Sequence, residues 1–221
     1  MYYGLVLLSL IISVAASLNV KSTFKKYSQI RNSRGLTGAE AARQLLLEHG
    51  ITDVQIAPIA GSLTDHYDPT TNTINLSQDV YASDSVAAVG VAMHEAGHAV
   101  QYAQNYAPVK IRHAIVKSTN VSSLASYLLV VLGVLFSSYN LLTLGIVFFL
   151  VVVFFQLVTL PVEFNASRRA IATLQNTMLL SEDERAGAAK VLRAAAMTYV
   201  AALASSLLTL LRLLLIRGRR R

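Results

Sequence analysis

The 221-residue chain contains no cysteine. No disulfide framework is therefore possible, and any bound metal must use histidine and carboxylate ligands. Charge is also scarce, because 14% of the residues are charged against 54% that are hydrophobic, a composition typical of a membrane protein. The net charge of +7 does not indicate a nucleic-acid partner. Four basic residues lie in the C-terminal RGRRR beside an apolar run, where anionic lipid headgroups explain them better.

Two long stretches contain no charged side chain. The first, residues 1–20, would form a helix about 30 Å long, which matches the hydrocarbon core of a bilayer. Its lysines follow the apolar run instead of preceding it. This order favours a retained membrane anchor over a cleaved signal peptide.

The second stretch lies between Lys117 and Glu163 and holds 45 residues without charge. It is too long for one membrane span and suits two spans joined by a tight turn. The sequence SSYN at 137–140 is the predicted turn, because Ser and Asn serve turns better than helix interiors. The spans are therefore predicted at about 119–137 and 141–162, as a helical hairpin.

A fourth apolar run, residues 194–216, contains Arg212 near its end, so about four transmembrane helices are expected. Nine Lys and Arg residues fall in 21–117 and five in 163–193, which favours a cytoplasmic location for both regions. If the fourth run crossed fully, RGRRR would lie on the opposite side. The positive-inside rule therefore leaves open whether 194–216 spans, re-enters or lies in the interface.

Residues 21–117 are predicted to form a membrane-proximal domain of helix, small sheet and second helix. Thr37 and Glu40 fit a capping box for the first helix. Strands are predicted at VQIAPI and NTINLS, with GSLTDHYD as a loop or short strand between them. The second helix is expected to be capped by Ser83 or Asp84. The fold class is thus a mainly α membrane protein (α+β), with a helical domain that contains a small β-sheet.

The second helix carries the sequence VAMHEAGHAVQ, residues 91–101. His94 and His98 stand at positions i and i+4, so both imidazoles project from one face and can bind one Zn²⁺, with Glu95 beside them. The small Ala and Gly that follow Glu95 let another segment approach closely. The alternative is a pair of histidines without metal, but two histidines and a carboxylate in an apolar helix are costly unless ligated or paired.

A zinc site of the hydrolytic kind needs a third protein ligand. Glu163 ends the uncharged run directly after Pro161, where a carboxylate is expensive without a partner. Two membrane crossings also return Glu163 to the side of the two histidines. The alternative is an interfacial anchor paired with Arg168. His113 follows the motif too closely, and nothing in the sequence marks His66.

HEAGH followed by PVEFNASRRA resembles the Glu-ligand zinc peptidases, whose second motif is Glu-x-x-x-Asp on a later helix. Over nearly its full length the chain resembles the YugP-like neutral zinc metallopeptidases of bacterial membranes. The resemblance implies a zincin-like domain and one zinc ion held by His94, His98 and Glu163, with Glu95 as the catalytic carboxylate.

The chain departs from the second motif at one position, where Ser167 replaces the Asp. That Asp would accept a hydrogen bond from a ligating histidine, so Ser167 or Asn165 is expected to take its place. A donor to the oxyanion of the transition state is expected from Tyr199, Arg168 or Arg169.

The predicted organisation has five segments. The first three are an N-terminal transmembrane helix (1–20), the metallopeptidase domain (21–117) and a transmembrane hairpin (118–162). They are followed by a helix carrying the third ligand with a connecting helix (163–193), and by a C-terminal apolar helix with its basic tail (194–221). The predicted function is a multi-pass, membrane-embedded zinc endopeptidase that acts on peptides or proteins near the bilayer, in membrane protein quality control. Its NTINLS strand could accept an extended substrate.

Two other functions remain open from the sequence. One is a non-catalytic membrane scaffold that keeps a zinc ion, against which an intact Glu95 argues. The other is a site-2-type intramembrane protease. Against this second reading, Asp84 and the glutamines after His98 bracket an apolar run that is too short to span a bilayer.

Overall fold

The computed structural model describes residues 2–218. Over these residues the fold is mostly helical with one three-stranded sheet, and four helices are long and apolar enough to cross a membrane, which confirms the predicted fold class. The elements are α1 (Tyr2–Tyr27), α2 (Gly38–Glu48), β1 (Gln55–Ile59), β2 (His66–Asp68), β3 (Thr73–Ser77), α3 (Gln78–Tyr81), α4 (Val86–Ala103), α5 (Ala107–Leu135), α6 (Tyr139–Asn176) and α7 (Glu182–Gly218).

The four candidate membrane helices are α1, α5, α6 and α7. Large apolar side chains such as Leu10, Val121 and Val147 lie exposed on them, as expected for surfaces that face lipid instead of water. α1 packs antiparallel to α7, with the Ser13 and Ser205 hydroxyls 3.0 Å apart. The first helix is longer than the apolar stretch, because the chain stays helical through its lysines to Tyr27.

The helices α5 and α6 form the predicted hairpin. The turn is shorter than SSYN, because Tyr139 and Asn140 already belong to α6 and Ser138 caps that helix by accepting from the Leu141 amide. Small residues bring the two helices together: the Ser126 hydroxyl donates to the Gly145 carbonyl at 2.8 Å. α5 begins at Ala107, well before the predicted span, because Pro108 fits the first turn of a helix.

The helix α6 does not stop at the end of the predicted span. It runs through Pro161 to Asn176, so Glu163 lies within a continuous 38-residue helix and not at the start of a new one. A proline removes one backbone hydrogen bond, which membrane helices packed against neighbours tolerate. The separate third-ligand helix and its junction at 162/163 are therefore not seen.

The helix α7 is likewise continuous from Glu182 to Gly218, so the connecting helix and the C-terminal apolar helix are one element. Near its end, the Arg217 guanidinium contacts Tyr139 at the hairpin turn. The run 194–216 therefore lies along the bundle over its whole length, as a full crossing would. Residues 219–221 of the predicted basic tail lie outside the described residues.

The domain between α1 and α5 contains the predicted helices and sheet. The Thr37 capping box is present, with Glu40 bonded back to the Thr37 amide. The cap of α4 is Ser85 and not Ser83 or Asp84, because its hydroxyl is the one that reaches the Ala88 amide, whereas Asp84 pairs with Arg31.

The sheet has the strand order β1-β3-β2, with β1 parallel and β2 antiparallel to β3. The NTINLS strand is therefore the central strand, hydrogen-bonded on both sides, and it offers no free edge to a substrate. The free edge that faces α4 belongs to β2. The α4 helix is almost entirely buried between the sheet, α2, α6 and α7, so its histidines are presented from inside the protein.

Candidate metal centre

The helix α4 supplies two imidazoles from one face. His94 and His98 are one helical turn apart, with ring centroids 4.7 Å apart and ring planes nearly perpendicular. His98 is buried and His94 is partly buried. The i and i+4 spacing alone produces this pairing, because the helix is regular through the motif.

The helix α6 supplies the carboxylate of Glu163, which is 1% exposed. Its position depends on a close helix contact one turn further along. A Cβ on Gly97 would lie 2.7 Å from the Ala166 carbonyl oxygen, so only glycine allows α4 and α6 to approach this closely. Since Glu163 lies one turn before Ala166, the contact brings its carboxylate to the histidines.

The three side chains converge on one point. Oε2 of Glu163 lies 3.2 Å from Nε2 of His94 and 3.5 Å from Nε2 of His98, and one ligand atom from each of the three lies within 4.8 Å of the others. Ligand atoms around a tetrahedral zinc ion stand about 3.4 Å apart, given bonds of about 2.1 Å. Two imidazoles and one carboxylate are also the donors of catalytic zinc sites, so these residues fit zinc.

The second nitrogen of each imidazole has its own partner. Nδ1 of His94 lies 3.0 Å from the Ser167 hydroxyl, and Nδ1 of His98 lies 3.0 Å from Oε1 of Gln101. Such partners fix the ring orientation of metal-binding histidines. Here both partners are neutral, whereas a carboxylate is common in this position.

Gln101 settles the tautomer of His98. Its amide nitrogen donates to the Val162 carbonyl at 2.8 Å and to Oδ1 of Asn165 at 3.0 Å. Its oxygen must therefore face His98 and accept a hydrogen bond from Nδ1, so Nε2 is the nitrogen directed toward Glu163 and available to a metal.

Asn165 and Arg169 continue the hydrogen-bond chain that leads from His98 through Gln101. Asn165 accepts hydrogen bonds from Gln101 and from Arg169, and Arg169 also donates to Gln104 at 2.7 Å. This chain links the C-terminal end of α4 to α6. Asn165 thus reaches His98 through Gln101, and Arg169 is held away from the three ligand atoms.

Glu163 has an ion-pair partner that the sequence did not reveal. Nη1 of Arg112, on α5, lies 3.3 Å from Oε1 of Glu163, so Oε2 alone faces the histidines. The predicted alternative partner, Arg168, is exposed and lines a separate depression between α6 and α7. No sequence signal marks Arg112, because it belongs to another helix. Gln101 could have been found, since it lies three residues after His98 on the same helix face.

Burial and the Glu163 carboxylate have opposite effects on the pKa of His98. Burial favours the neutral imidazole, but the Glu163 carboxylate outweighs it, so the pKa of His98 lies above its ordinary value.

A cavity of about 150 Å³ opens beside the three ligands. Glu95 lies on its wall, where Oε2 accepts a hydrogen bond of 3.1 Å from the Tyr67 amide. That amide is on the free edge of β2, so the edge strand and the motif helix meet at Glu95. Tyr199 and Arg112 also line this cavity, whereas Arg168 and Arg169 do not.

The other two histidines weighed as ligands lie outside the group of three. His66 is at the rim of the cavity, with Nδ1 against the Thr64 carbonyl and Nε2 against Asn75. His113 lies 3.4 Å from the Tyr102 hydroxyl. Neither belongs to the cluster with metal-binding geometry found among the described residues.

The fold and the cluster together define a helical protein with four candidate membrane spans and a His₂Glu cluster that could hold a metal ion. A family model described as "Putative neutral zinc metallopeptidase" matches residues 2–218, and the chain belongs to this family. The chain is similar to a Bacillus subtilis (strain 168) protein described as "Putative membrane protease YugP". The two are 46% identical over 216 residues, which cover 98% of this chain and 96% of the relative. These findings confirm the resemblance seen in the sequence. No solved structure matches the chain.

Proposed function

We propose that this protein is a membrane-embedded, zinc-dependent endopeptidase with Glu95 as its general base. The observation that carries the proposal is the arrangement of four side chains around one cavity. Three of them, His94, His98 and Glu163, direct one ligand atom each toward a common point, and Glu95 stands beside that point without joining them. Three protein ligands leave the fourth coordination position of a zinc ion open for water, and a base beside that position can take a proton from the water. Hydrolysis requires this arrangement.

Zinc bound by these residues would polarise the peptide carbonyl and lower the pKa of a water molecule. Glu95 accepts a proton from the attacking water, whose oxygen forms a bond with the acyl carbon. Glu95 then delivers that proton to the amide nitrogen as the carbon–nitrogen bond breaks. The second proton of the attacking water also passes to the amine, so the products are a carboxylate and a protonated amine, and no further reactant is needed.

Tyr199 is the favoured donor to the oxyanion among the predicted candidates. It lines the cavity together with Glu95 and Glu163, whereas Arg168 and Arg169 are directed elsewhere. A phenol hydroxyl can donate a hydrogen bond to a developing negative charge. Arg112 positions Glu163 through its contact with Oε1.

An extended substrate would pair with β2 and not with the NTINLS strand. The β2 strand is at the sheet edge, and its Tyr67 amide already points to Glu95. A peptide paired with this edge would pass directly over the base.

The two alternative functions have less support. A scaffold with structural zinc has no use for a carboxylate beside the ligands. A site-2-type protease would hold its motif in a membrane-spanning helix, but α4 is surrounded by protein and is not among the four candidate spans of the described residues.

We infer that the centre lies at the membrane surface, on the cytoplasmic side. Fourteen Lys and Arg residues lie in the regions that share this side, against four in the C-terminal RGRRR. A site so close to the bilayer fits membrane proteins as substrates, in quality control.

The test is the variant Glu95→Gln, measured for zinc content and for cleavage of casein or peptides by the purified protein. Gln keeps an oxygen for the Tyr67 amide but cannot take a proton, so we expect zinc to remain and cleavage to fall by at least about 100-fold. Cleavage at the wild-type rate would refute the proposed role of Glu95. Full zinc binding in a wild-type protein that cleaves no substrate would instead favour the scaffold.

A further inference from the structure

A second cavity adjoins the one beside the three ligands. It also measures about 150 Å³, and four residues line both cavities: Asp65, His94, Glu95 and Tyr199. The two compartments therefore meet at the base and at one ligand. Any peptide that reaches Glu95 has both compartments within reach of its neighbouring side chains.

The two compartments differ in chemistry. The one at the ligands is polar, with His66, Tyr67, Tyr102 and Arg112 on its wall. Apart from the four shared residues, every side chain that lines the adjoining compartment is apolar. These side chains come from α1, the loop before β2, α4 and α7 (Val20, Phe24, Leu63, Val91, Val191, Leu192 and Ala195). An apolar cavity of this volume is large enough for a benzene ring.

The loop residue Leu63 supports a binding role for the apolar compartment. It has a positive φ of 57°, which is costly for a residue with a branched side chain, and it is 47% exposed. The loop therefore holds the Leu63 side chain at the cavity despite two costs, the unfavourable backbone conformation and the exposure of an apolar side chain. A bound apolar group would cover Leu63 and remove it from water.

We propose that the apolar compartment receives a large apolar side chain, of the size of Leu, Met or Phe, from a residue that flanks the scissile bond. The inference rests on the proposed peptidase function and adds the substrate class to it. Because α1 and α7 are also membrane helices, the preferred substrates are polypeptide segments with such a residue at the membrane surface.

Ala195→Leu is the variant that fills the compartment. Ala195 is on α7 with its side chain on the cavity wall, and leucine fits a helix without backbone strain. The matched control is Ala202→Leu. It makes the same change seven residues further along α7, at a half-buried position that lines neither compartment.

The first measurement uses purified full-length protein and a peptide series that varies one residue on either side of the bond. We expect kcat/KM to be at least about tenfold higher with Leu, Met or Phe than with Ala on one side of the bond. Ala195→Leu should remove most of this preference, and Ala202→Leu should keep it. Cleavage without apolar bias, or an unchanged bias in Ala195→Leu, would overturn the inference while leaving the peptidase function intact.

The second measurement does not depend on turnover. Fluorescence anisotropy follows the binding of a labelled Leu-containing peptide and its Ala counterpart to the Glu95→Gln protein. The Leu peptide should bind at least about tenfold more tightly, and Ala195→Leu in this background should abolish the difference. Equal binding of the two peptides would overturn the inference even if no cleavage could be measured.

Discussion

The helices α4 and α6 both contribute to the candidate metal centre, but by different means. α4 is an 18-residue helix buried inside the protein, and its two histidines are paired by the helix repeat itself. α6 is a 38-residue membrane helix, and its single ligand, Glu163, reaches the site only because the two helices touch at Gly97 and Ala166. The pairing of the two histidines therefore has a local origin, whereas the position of Glu163 depends on tertiary packing.

This difference predicts that the two helices respond differently to substitution. Changes on α4 that keep the helix should leave the histidine pair intact. Changes that separate α4 from α6 should remove Glu163 from the histidines without altering any ligand. The strongest variants are therefore those that act on the contact between the helices.

Among variants that leave the three ligands and Glu95 unchanged, Gly97→Ala should have the largest effect. The added Cβ would meet the Ala166 backbone at 2.7 Å, so α4 and α6 must move apart by several tenths of an ångström or more. Misplacement of a catalytic group by about 1 Å can cost 100-fold in rate, so we expect an activity loss of that order and a stability loss of about 1–3 kcal/mol. Peptide cleavage and thermal unfolding in detergent measure the two effects.

Gly90→Ala is the matched control, on the same helix two turns earlier. There the nearest heavy atom to the added Cβ is Cβ of Ala188 at 3.4 Å, an ordinary contact. Activity should stay near wild type, and stability should rise slightly because alanine favours the helix. If both variants behaved alike, the contact between Gly97 and Ala166 would not set the position of Glu163.

Gln101→Leu comes next in size. It removes the acceptor of His98 and the hydrogen bonds that Gln101 donates to the Val162 carbonyl and to Asn165. Loss of such a partner reduces metal affinity by about 10–100-fold. Zinc affinity can be measured by competition with a chelator. Gln101→Glu, which keeps an acceptor for His98 but no donor, should bind zinc more tightly than Gln101→Leu. Wild-type affinity in Gln101→Leu would contradict the role given to this residue.

Ser167→Ala should have a smaller effect on the same titration. Its partner His94 is more accessible than the network around His98, so water can replace the lost hydroxyl, and we expect less than a tenfold loss of zinc affinity. Ser167→Asp places a carboxylate beside Nδ1 of His94 and should raise zinc affinity above wild type. A loss in Ser167→Ala larger than that in Gln101→Leu would reverse the order proposed here.

The smallest effect is expected at the turn that joins β2 to β3. Hydrogen bonds from Thr70 and Thr71 lower the pKa of Asp68 to about 2. Because the folded-state pKa is depressed, this turn gains stability above the unfolded pKa of about 3.9 and loses it as pH falls toward 2. An NMR titration of the Asp68 carboxyl group measures the pKa, and an ordinary value would contradict these contacts.

The parts of the fold that follow from local rules could be predicted from the sequence. The Thr37 capping box, the membrane hairpin and the i and i+4 histidines each need only a few neighbouring residues. The missed features depend on residues distant in the chain: Arg112 beside Glu163, Gln101 between His98 and α6, and β3 at the centre of the sheet. The full length of α6 also depends on tertiary contacts, because packing against neighbouring helices carries the helix through Pro161, which local rules predict as its end.

The most direct test of the joint α4–α6 centre is the zinc content of purified variants, measured by mass spectrometry after equilibration with zinc and removal of the excess. Wild type and Glu95→Gln should hold one ion per chain, while His94→Ala and Glu163→Ala should both hold almost none. Retention of a full equivalent of zinc by Glu163→Ala would contradict the account, because the membrane helix would then contribute nothing to metal binding.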